Sequence, residues 1–224
     1  PVIPGAADAI VVEMLTLNAC SECPALPLTD RGITLETTQF YGVKCLVNGA
    51  DGVTPVAHLY PYHKNGKLVG YKKRVIENKR FSTIGDCKQT DLFGQHLFEE
   101  GGKKVYITEG ECDALALFQT FKSLAGVEFK HLNPAVVSLP SGANSVAACL
   151  ERSRSFLSKF QEVVLVFDQD DAGEEATRTA FSVLDPTTTR VARLTEKDAN
   201  AMLLAGKANE LKWACLNATP YTPS

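Results

Sequence analysis

Beyond residue 102 the chain alternates between short apolar runs and amphipathic segments, and this alternation constrains the fold more than any other feature of the sequence. Continuous apolar runs are typical of parallel strands buried on both faces. They predict strands at residues 105–108, 135–139, 163–167 and 190–194, and the segments between and after them predict helices at residues 112–124, 144–159, 172–184 and 199–206. Four strand–helix units predict a Rossmann-like parallel sheet with right-handed crossovers and flanking helices, an α/β fold.

The part before residue 102 has a different pattern. Short alternating segments, such as residues 56–62 and 68–71, are separated by turn signals. These turn signals are Asn48-Gly49, Asp51-Gly52 and Asn65-Gly66. Alternation broken by such pairs is typical of antiparallel strands joined by tight turns. A short helix is predicted over residues 34–41, with Thr34 as its N-cap and Gly42 as its stop.

We therefore expect three regions. Residues 1–101 form a small α+β subdomain rich in antiparallel strands, residues 102–206 form the α/β domain, and residues 207–224 form a tail or linker. The chain begins with Pro1, so we expect it to be a fragment or a processed product of a longer chain.

Composition predicts a folded protein that works in a cytoplasm. The chain has 224 residues, of which 45% are hydrophobic, and no apolar stretch approaches the roughly 20 residues that cross a bilayer. No signal-peptide pattern opens the sequence. The seven cysteines are scattered, which favours reduced thiols over a disulfide framework. Cys20 and Cys23 have the spacing of half a zinc site, but no second pair follows, so zinc is disfavoured.

Acidic residues follow three of the predicted strands. Glu109 ends the first strand, Asp168 and Asp170 end the third, and Asp198 follows the fourth. Because neighbouring strands lie about 4.8 Å apart, loops at their carboxyl ends can bring these carboxylates together. Oxygen ligands without His or Cys favour Mg²⁺ or Mn²⁺ over Zn²⁺. We predict a site for one or two divalent ions.

A purely structural role is the alternative for each acid taken singly. Asp168, Asp170 or Asp171 can each serve as the N-cap of the following helix. Glu111 and Asp113 open the helix after the first strand, where negative charge is favoured in any case, and we treat them as supporting acids. Capping requires one side chain, however, and two strands offer two or more acids each. The combination therefore favours metal binding.

The basic residues are concentrated in one segment. The net charge of −3 argues against a protein coated in positive charge to grip duplex DNA. Residues 71–80 nevertheless hold five cations against the single anion Glu77, and Lys88 follows shortly. Such a patch can hold a nucleic-acid strand or a triphosphate near a metal, but it is equally typical of a solvated hairpin edge.

Two motifs carry a resemblance to a known family. Residues 108–114 (TEGECDA) and 167–173 (FDQDDAG) resemble the two signature motifs of the Toprim fold, which is the catalytic module of bacterial-type primases, type IA and II topoisomerases and some nucleases. Further segments are similar to the primase half of phage primase-helicases. These are residues 28–33 (LTDRGI), 92–98 (LFGQHLF), 137–139 (VSL) with Gly142-Ala143, and 197–200 (KDAN). The similarity runs from about residue 28 to residue 200.

The resemblance implies a role for each site residue. Glu109, Asp168 and Asp170 would be catalytic and would bind magnesium, with Asp198 assisting. Basic residues between the two halves would contact nucleotide and template. These are Lys73, Arg74, Lys79 and Lys88. A zinc-binding module that recognises template and a replicative helicase would be partners, because neither that module nor a G-x-x-x-x-G-K-[ST] phosphate loop occurs here.

The predicted function is a DNA-dependent RNA primase core. It would synthesise short RNA primers on single-stranded DNA from nucleoside triphosphates, with Mg²⁺ or Mn²⁺, as a monomer in a phage-infected or bacterial cytoplasm. Two alternatives stay open: a nickase or nuclease that uses the same acids, and a non-catalytic DNA-binding module of a primase-helicase. An aspartyl phosphatase would leave Glu109 and the basic segment unexplained.

Overall fold

An antiparallel sheet forms most of the first half of the protein. The structure is a computed structural model, and it describes residues 15–140 and 145–222. Four strands lie in the order β1-β2-β3-β4. They are β1 (Lys44–Val47), β2 (Pro55–Lys64), β3 (Lys67–Val75) and β4 (Phe81–Gly85). Asn65 and Gly66 join β2 to β3 with φ of 50° and 73°. Two positive φ values are what a type I′ hairpin turn requires, so the predicted turn is confirmed.

Two short helices accompany this sheet. Helix α1 (Leu17–Glu22) packs on β3, and α2 (Leu35–Tyr41) begins and ends as predicted. The hydroxyl of Thr34 accepts a hydrogen bond from the Thr37 amide, and Gly42 adopts a left-handed conformation with φ of 70°. An N-cap hydroxyl and a left-handed glycine are common helix boundaries, so local sequence is sufficient to define α2.

A parallel sheet forms the second half. Its four strands lie in the order β6-β5-β7-β8. They are β5 (Gly102–Thr108), β6 (Ala135–Ser138), β7 (Phe160–Val166) and β8 (Thr189–Val191). Helix α3 (Glu111–Ser123) follows β5, α6 (Asp171–Phe181) follows β7, and α7 (Ala199–Leu204) comes after β8. The predicted α/β class is confirmed, and β5 and β7 are central neighbours whose carboxyl ends share one edge.

One predicted helix is divided. Instead of a single helix over residues 144–159, the structure has α4 (Val146–Arg152) and α5 (Arg154–Leu157) on either side of buried Ser153. The division lets Phe156 pack edge-on against Phe160 at the start of β7, with ring centroids 5.2 Å apart. Position 144 lies outside the described residues, as do Gly142 and Ala143.

The prediction of a tail over residues 207–224 needs correction. Residues Ala208–Leu216 form helix α8, and its Leu211 and Cys215 are fully buried. Beyond α8, the Thr219 carbonyl accepts a 2.8 Å hydrogen bond from the Val191 amide, and the Tyr221 ring stacks on Phe181. Burial of α8 and pairing at the edge of β8 hold this segment against the parallel sheet.

The two halves share one hydrophobic core. Tyr41 and Phe93 of the first half are buried in the same cluster as Ile107 and Val136 of the second. The Tyr41 hydroxyl donates a 2.8 Å hydrogen bond to the Val136 carbonyl. Division into domains at residue 102 stays a prediction. Within the described ranges, no helix is long and apolar enough to span a membrane.

Candidate active site

Glu109 and Asp168 lie side by side at the carboxyl edge of the parallel sheet. Thr108 of β5 is paired with Val166 of β7, so the residues that follow both strands leave the sheet together. The Asp168 amide donates a 3.0 Å hydrogen bond to Glu109 Oε1. The backbone of one loop thereby orients the carboxylate of the other, and the predicted convergence of these two loops is observed.

Burial and mutual repulsion shift the pKa values of both groups. Desolvation, followed by the charges of Glu109 and Asp198, raises the pKa of Asp168 to about 7 against the opposing effect of Lys197. Desolvation also raises the pKa of Glu109, and the charge of Asp170 adds to the shift. Carboxylates crowded in this way gain stability from any cation that binds between them.

Lys197 is the cation that contacts these acids. Its Nζ lies 3.1 Å from Asp170 Oδ2 and 3.8 Å from Asp168 Oδ2. The Gln169 amide donates a 2.7 Å hydrogen bond to the Lys197 carbonyl, which fixes the two loops against each other. The sequence motif containing Lys197 was recognised, but pairing of its ammonium with the acids depends on tertiary structure and was not predicted.

Asp170 and Asp198 each cap a helix. Asp170 Oδ1 accepts a 3.0 Å hydrogen bond from the Gly173 amide at the start of α6. Asp198 Oδ1 accepts a 2.7 Å hydrogen bond from the Ala201 amide at the start of α7. The capping alternative is therefore correct for Asp170, while Asp171 is the first residue of the helix. In each case capping engages one carboxylate oxygen through this bond.

Gly173 is a site residue that sequence reasoning missed. A Cβ atom placed there would lie 2.0 Å from the Asp168 carbonyl oxygen and 2.9 Å from Glu109 Oε1. Such distances are far below van der Waals contact, so any larger residue would push these loops apart. The signal in the sequence is a glycine three residues after an Asp cap, a position where a helix former is ordinarily preferred.

The supporting acids Glu111 and Asp113 make separate connections. Buried Glu111 accepts hydrogen bonds from Lys72 Nζ, at 2.9 Å, and from the Tyr62 hydroxyl. Asp113 Oδ1 accepts a 3.0 Å hydrogen bond from the Asn200 amide. Burial, and then the nearby charge of Asp198, holds the pKa of Asp113 well above its usual range. These acids tie β2, β3 and α7 to the start of α3.

The basic segment is divided between two faces of the antiparallel sheet. Lys72 lies on the face toward α3, whereas Lys73 lies on the opposite face beside Cys20 of α1. Lys79 and Lys88 are exposed. Arg74 is 4% exposed, and its Nη1 lies 3.3 Å from Asp30 Oδ2. The burial of Arg74 against Asp30 does not favour the prediction that it binds nucleotide.

The donor chemistry of the acid cluster fits Mg²⁺ or Mn²⁺. Across residues 15–140 and 145–222, no three acidic, His or Cys side chains form a ready-made metal cage. Magnesium is commonly held by one or two carboxylates together with water and substrate phosphates, so a cage is unnecessary. Glu109 and Asp168 supply two such oxygen donors, and the Lys197 ammonium already stands where positive charge is favoured. Cys23, by contrast, donates its thiol to the Ala19 carbonyl within α1, which does not favour zinc.

This chain is similar to known primases. Residues 106–203 match the Toprim-like family. The chain is 35% identical over 196 residues to the DNA helicase/primase of Enterobacteria phage T3, covering 88% of this chain and 32% of that protein. The chain thus spans about a third of the length of that curated relative.

Two solved structures are similar over most of their length. The primase fragment of the bacteriophage T7 primase-helicase has a TM-score of 0.72 and 34% identity, with 85% of this chain and 74% of that chain covered. In a second structure, the T7 lagging-strand DNA polymerase interacts with two primase domains bound to an RNA/DNA hybrid and dTTP. The match there has a TM-score of 0.74 and 34% identity, with 88% of this chain and 94% of that chain covered.

The fold and the acid cluster define a Toprim protein, and the similarities narrow the class. The chain belongs to the Toprim-fold primase domains of phage-type primase-helicases. The resemblance inferred from the sequence is confirmed. Toprim primases are generally metal-dependent.

Proposed function

We propose that this chain is the RNA-polymerising core of a DNA primase. It would synthesise short RNA primers on single-stranded DNA from nucleoside triphosphates. The observation that carries the proposal is the pair of neighbouring carboxylates, Glu109 and Asp168, at the shared edge of β5 and β7. Membership of the primase family supports the same reaction.

The site residues divide the work of nucleotidyl transfer. A primer 3′-hydroxyl oxygen forms a bond to the α-phosphorus of the incoming nucleotide, and pyrophosphate leaves with the electrons of the broken P–O bond. Mg²⁺ or Mn²⁺ would supply charge neutralisation on the phosphates. Glu109 and Asp168 would hold the ion, with Asp170 and Asp198 assisting. Glu109 would also serve as the base or relay that takes the hydroxyl proton.

Nucleic acid would run between the two sheets. Lys72 donates a hydrogen bond to Glu111 at the start of α3, two residues after Glu109. A phosphate bound at Lys72 would therefore lie on the side of the molecule that carries Glu109. We infer that Lys79 and Lys88, which are exposed, contact the template backbone, and that Lys73 acts at most from the outer face.

Extension of a short RNA annealed to a single-stranded DNA template tests the proposal. This substrate removes the need for template-specific initiation, so failure cannot be attributed to a missing zinc-binding module. Incorporation of labelled ribonucleotides that requires Mg²⁺ or Mn²⁺ is expected. Nicking of supercoiled plasmid, assayed in parallel, would overturn the proposal in favour of a nuclease if cleavage occurred without incorporation.

A non-catalytic DNA-binding module is the second candidate. The capping roles of Asp170 and Asp198 favour it, because both acids would be needed to begin a helix even without catalysis. Binding of single-stranded DNA without any incorporation, in either metal, would establish this candidate.

The expected partners follow from the family. The phage T3 relative carries both helicase and primase in its name. We infer that a zinc-binding module chooses the start point and that a replicative helicase moves along DNA. Each would lie on the same longer chain or on another. A monomer in the cytoplasm is expected for this part alone.

A further inference from the structure

Phe81 is a large aromatic side chain left exposed beside Lys72. It is the first residue of β4, an edge strand of the antiparallel sheet, and it is 57% exposed. Its partner across the sheet is Arg74, which shares a face of β3 with Lys72, and Lys72 bonds to Glu111 of α3 in the second half. Directly paired residues share a face, so Phe81 is on the side of the sheet that faces the Toprim half.

A cavity of about 370 Å³ opens next to this ring. It is lined by Tyr62, Lys72, Phe81, Ser82, Thr83 and Cys87, together with Pro140 after β6. The lining combines two aromatic side chains, the hydroxyls of Ser82 and Thr83, and one cation. That is the chemistry that a nucleobase with its phosphate requires, and an apolar peptide would have no use for the cation and hydroxyls.

Lys72 connects the cavity to the acids. Its Nζ lies 4.9 Å from the centroid of the Phe81 ring and 2.9 Å from Glu111 Oε1. Glu111 is two residues beyond Glu109. A ligand that stacks on Phe81 and presents a phosphate to Lys72 would therefore extend toward the carboxyl edge of β5. Arg80 precedes Phe81, and Lys88 follows Cys87, so exposed cations flank both ends of the cavity.

Exposure alone does not identify a binding residue. Phe129 is about as exposed as Phe81 but lies far from the proposed site. Phe129 is 55% exposed, but it lines a cavity at the amino-terminal edge of the parallel sheet, with Gly102 and Ala135. That edge is opposite the acids. Phe129 therefore provides a matched control for the effect of removing an exposed phenyl ring.

We propose that Phe81 is a stacking platform for a nucleobase, with Lys72 directed at the phosphate attached to that base. The proposal deepens the proposed function and rests on it for the identity of the ligand. The base can belong to single-stranded template or to a free nucleoside triphosphate, because the two present the same aromatic face and the same phosphate chemistry.

Binding measurements with two probes separate these sources. One arm titrates a fluorescein-labelled single-stranded 12-mer by anisotropy, and the other titrates ATP and GTP by calorimetry. Since base stacking on an aromatic side chain contributes about 1–3 kcal/mol, Phe81→Ala should weaken binding about 5- to 150-fold in the arm that uses the platform. Phe81→Trp should retain wild-type affinity, and Phe81→Leu should not, because leucine keeps apolar area without a π face.

Phe129→Ala and thermal melting complete the design. Phe129→Ala should bind both probes as wild type does, and Phe81→Leu should melt as wild type does. The slope of affinity against salt should be unchanged in Phe81→Ala, because no phosphate contact is lost. Wild-type affinity of Phe81→Ala in both arms, or weakened binding in Phe81→Trp, would overturn the proposal.

The two proposals fail in different ways. If wild type extends primers but Phe81→Ala binds normally, the platform alone is wrong. If wild type extends no primer but Phe81→Ala loses DNA binding, the platform holds and the polymerase assignment fails.

Discussion

At the scale of single residues, the ionised Asp168 carboxylate is unfavourable for the fold. Folding raises its pKa from 3.8 to about 7, so between those pH values the folded state binds more protons than the unfolded state. Stability contributed by the protonated group therefore falls as pH rises through this window, and the full penalty applies above pH 7.

Asp168→Asn should accordingly stabilise the metal-free protein at pH 8 while abolishing primer extension. The side chain is 22% exposed, and with allowance for solvent screening we expect a gain of roughly 1–3 kcal/mol in the free energy of unfolding. Urea denaturation in EDTA at pH 8 and at pH 4 measures it, and the gain should shrink at pH 4. Asp185→Asn is the control, because folding lowers the pKa of Asp185 and its loss should not stabilise. Equal stability of wild type and Asp168→Asn at pH 8 would contradict this account.

Lys197 should compete with a divalent ion for Asp168 and Asp170. Lys197→Met removes the ammonium that neutralises them, so Mn²⁺ should bind several-fold more tightly. Electron paramagnetic resonance of free Mn²⁺ reports this affinity directly, without reference to catalysis. Lys104→Met, which breaks an ion pair with Glu162 near the opposite edge of the sheet, should leave Mn²⁺ binding unchanged. Unchanged or weaker binding in Lys197→Met would argue against competition.

At the scale of elements, local sequence signals were enough to predict where some helices begin and end. They did not predict features that depend on tertiary packing. Helix α2 was predictable from Thr34 and Gly42 because both act within one turn of the chain. Ser153 divides a segment that reads as one helix, because Phe156 packs on β7, which periodicity alone does not reveal. Helix α8 was missed for the same reason, since its burial depends on α3 and α7.

In the candidate site, too, some features were predictable from the order of residues and others depend on tertiary packing. The order of acids after strands was enough to predict that Glu109 and Asp168 meet. Arg74 could not be distinguished from its neighbours, because its burial against Asp30 depends on where residues 29–31 pack.

Two stacked histidines, His63 of β2 and His96 of the short 3₁₀ turn at residues Gln95–Leu97, predict that the free energy of unfolding falls at acid pH. The rings of His63 and His96 lie 3.6 Å apart. Burial, and then the charge of His96, lowers the pKa of His63 to about 4, and burial lowers that of His96. The unfolded chain thus binds more protons, so stability is complete above the ordinary pKa of 6.5 and is lost as pH falls toward 4.

His96→Phe should retain the stacking and reduce this loss, by roughly 1 kcal/mol between pH 6.5 and 4.5. Urea denaturation across that range measures the effect. His131→Phe, on an exposed segment, should keep the wild-type pH dependence. An unaltered pH profile in His96→Phe would show that the pair does not titrate on unfolding.

At the scale of the whole molecule, the continuous core predicts that both halves unfold together. Tyr41→Phe leaves the Val136 carbonyl without its buried donor, which should lower the free energy of unfolding by about 1–2 kcal/mol. Circular dichroism and fluorescence of Trp213, the single tryptophan, should give coincident transitions in wild type and variant. Phe40→Leu is a useful comparison, since its ring packs in the same region without a hydrogen bond. Two separated transitions would mean that residue 102 is a true domain boundary.

Because Asp170 and Asp198 begin helices as well as lying near the acid cluster, the fold limits which residues can replace them during evolution. A descendant that lost polymerisation but remained a DNA-binding module would still need a side chain able to begin α6 and α7. Asn, Ser or Thr satisfies that need without holding a cation. Position 168 does not cap a helix, so in an inactive descendant we expect Asp168 to be replaced first. Positions 170 and 198 should accept only residues that can still act as N-caps.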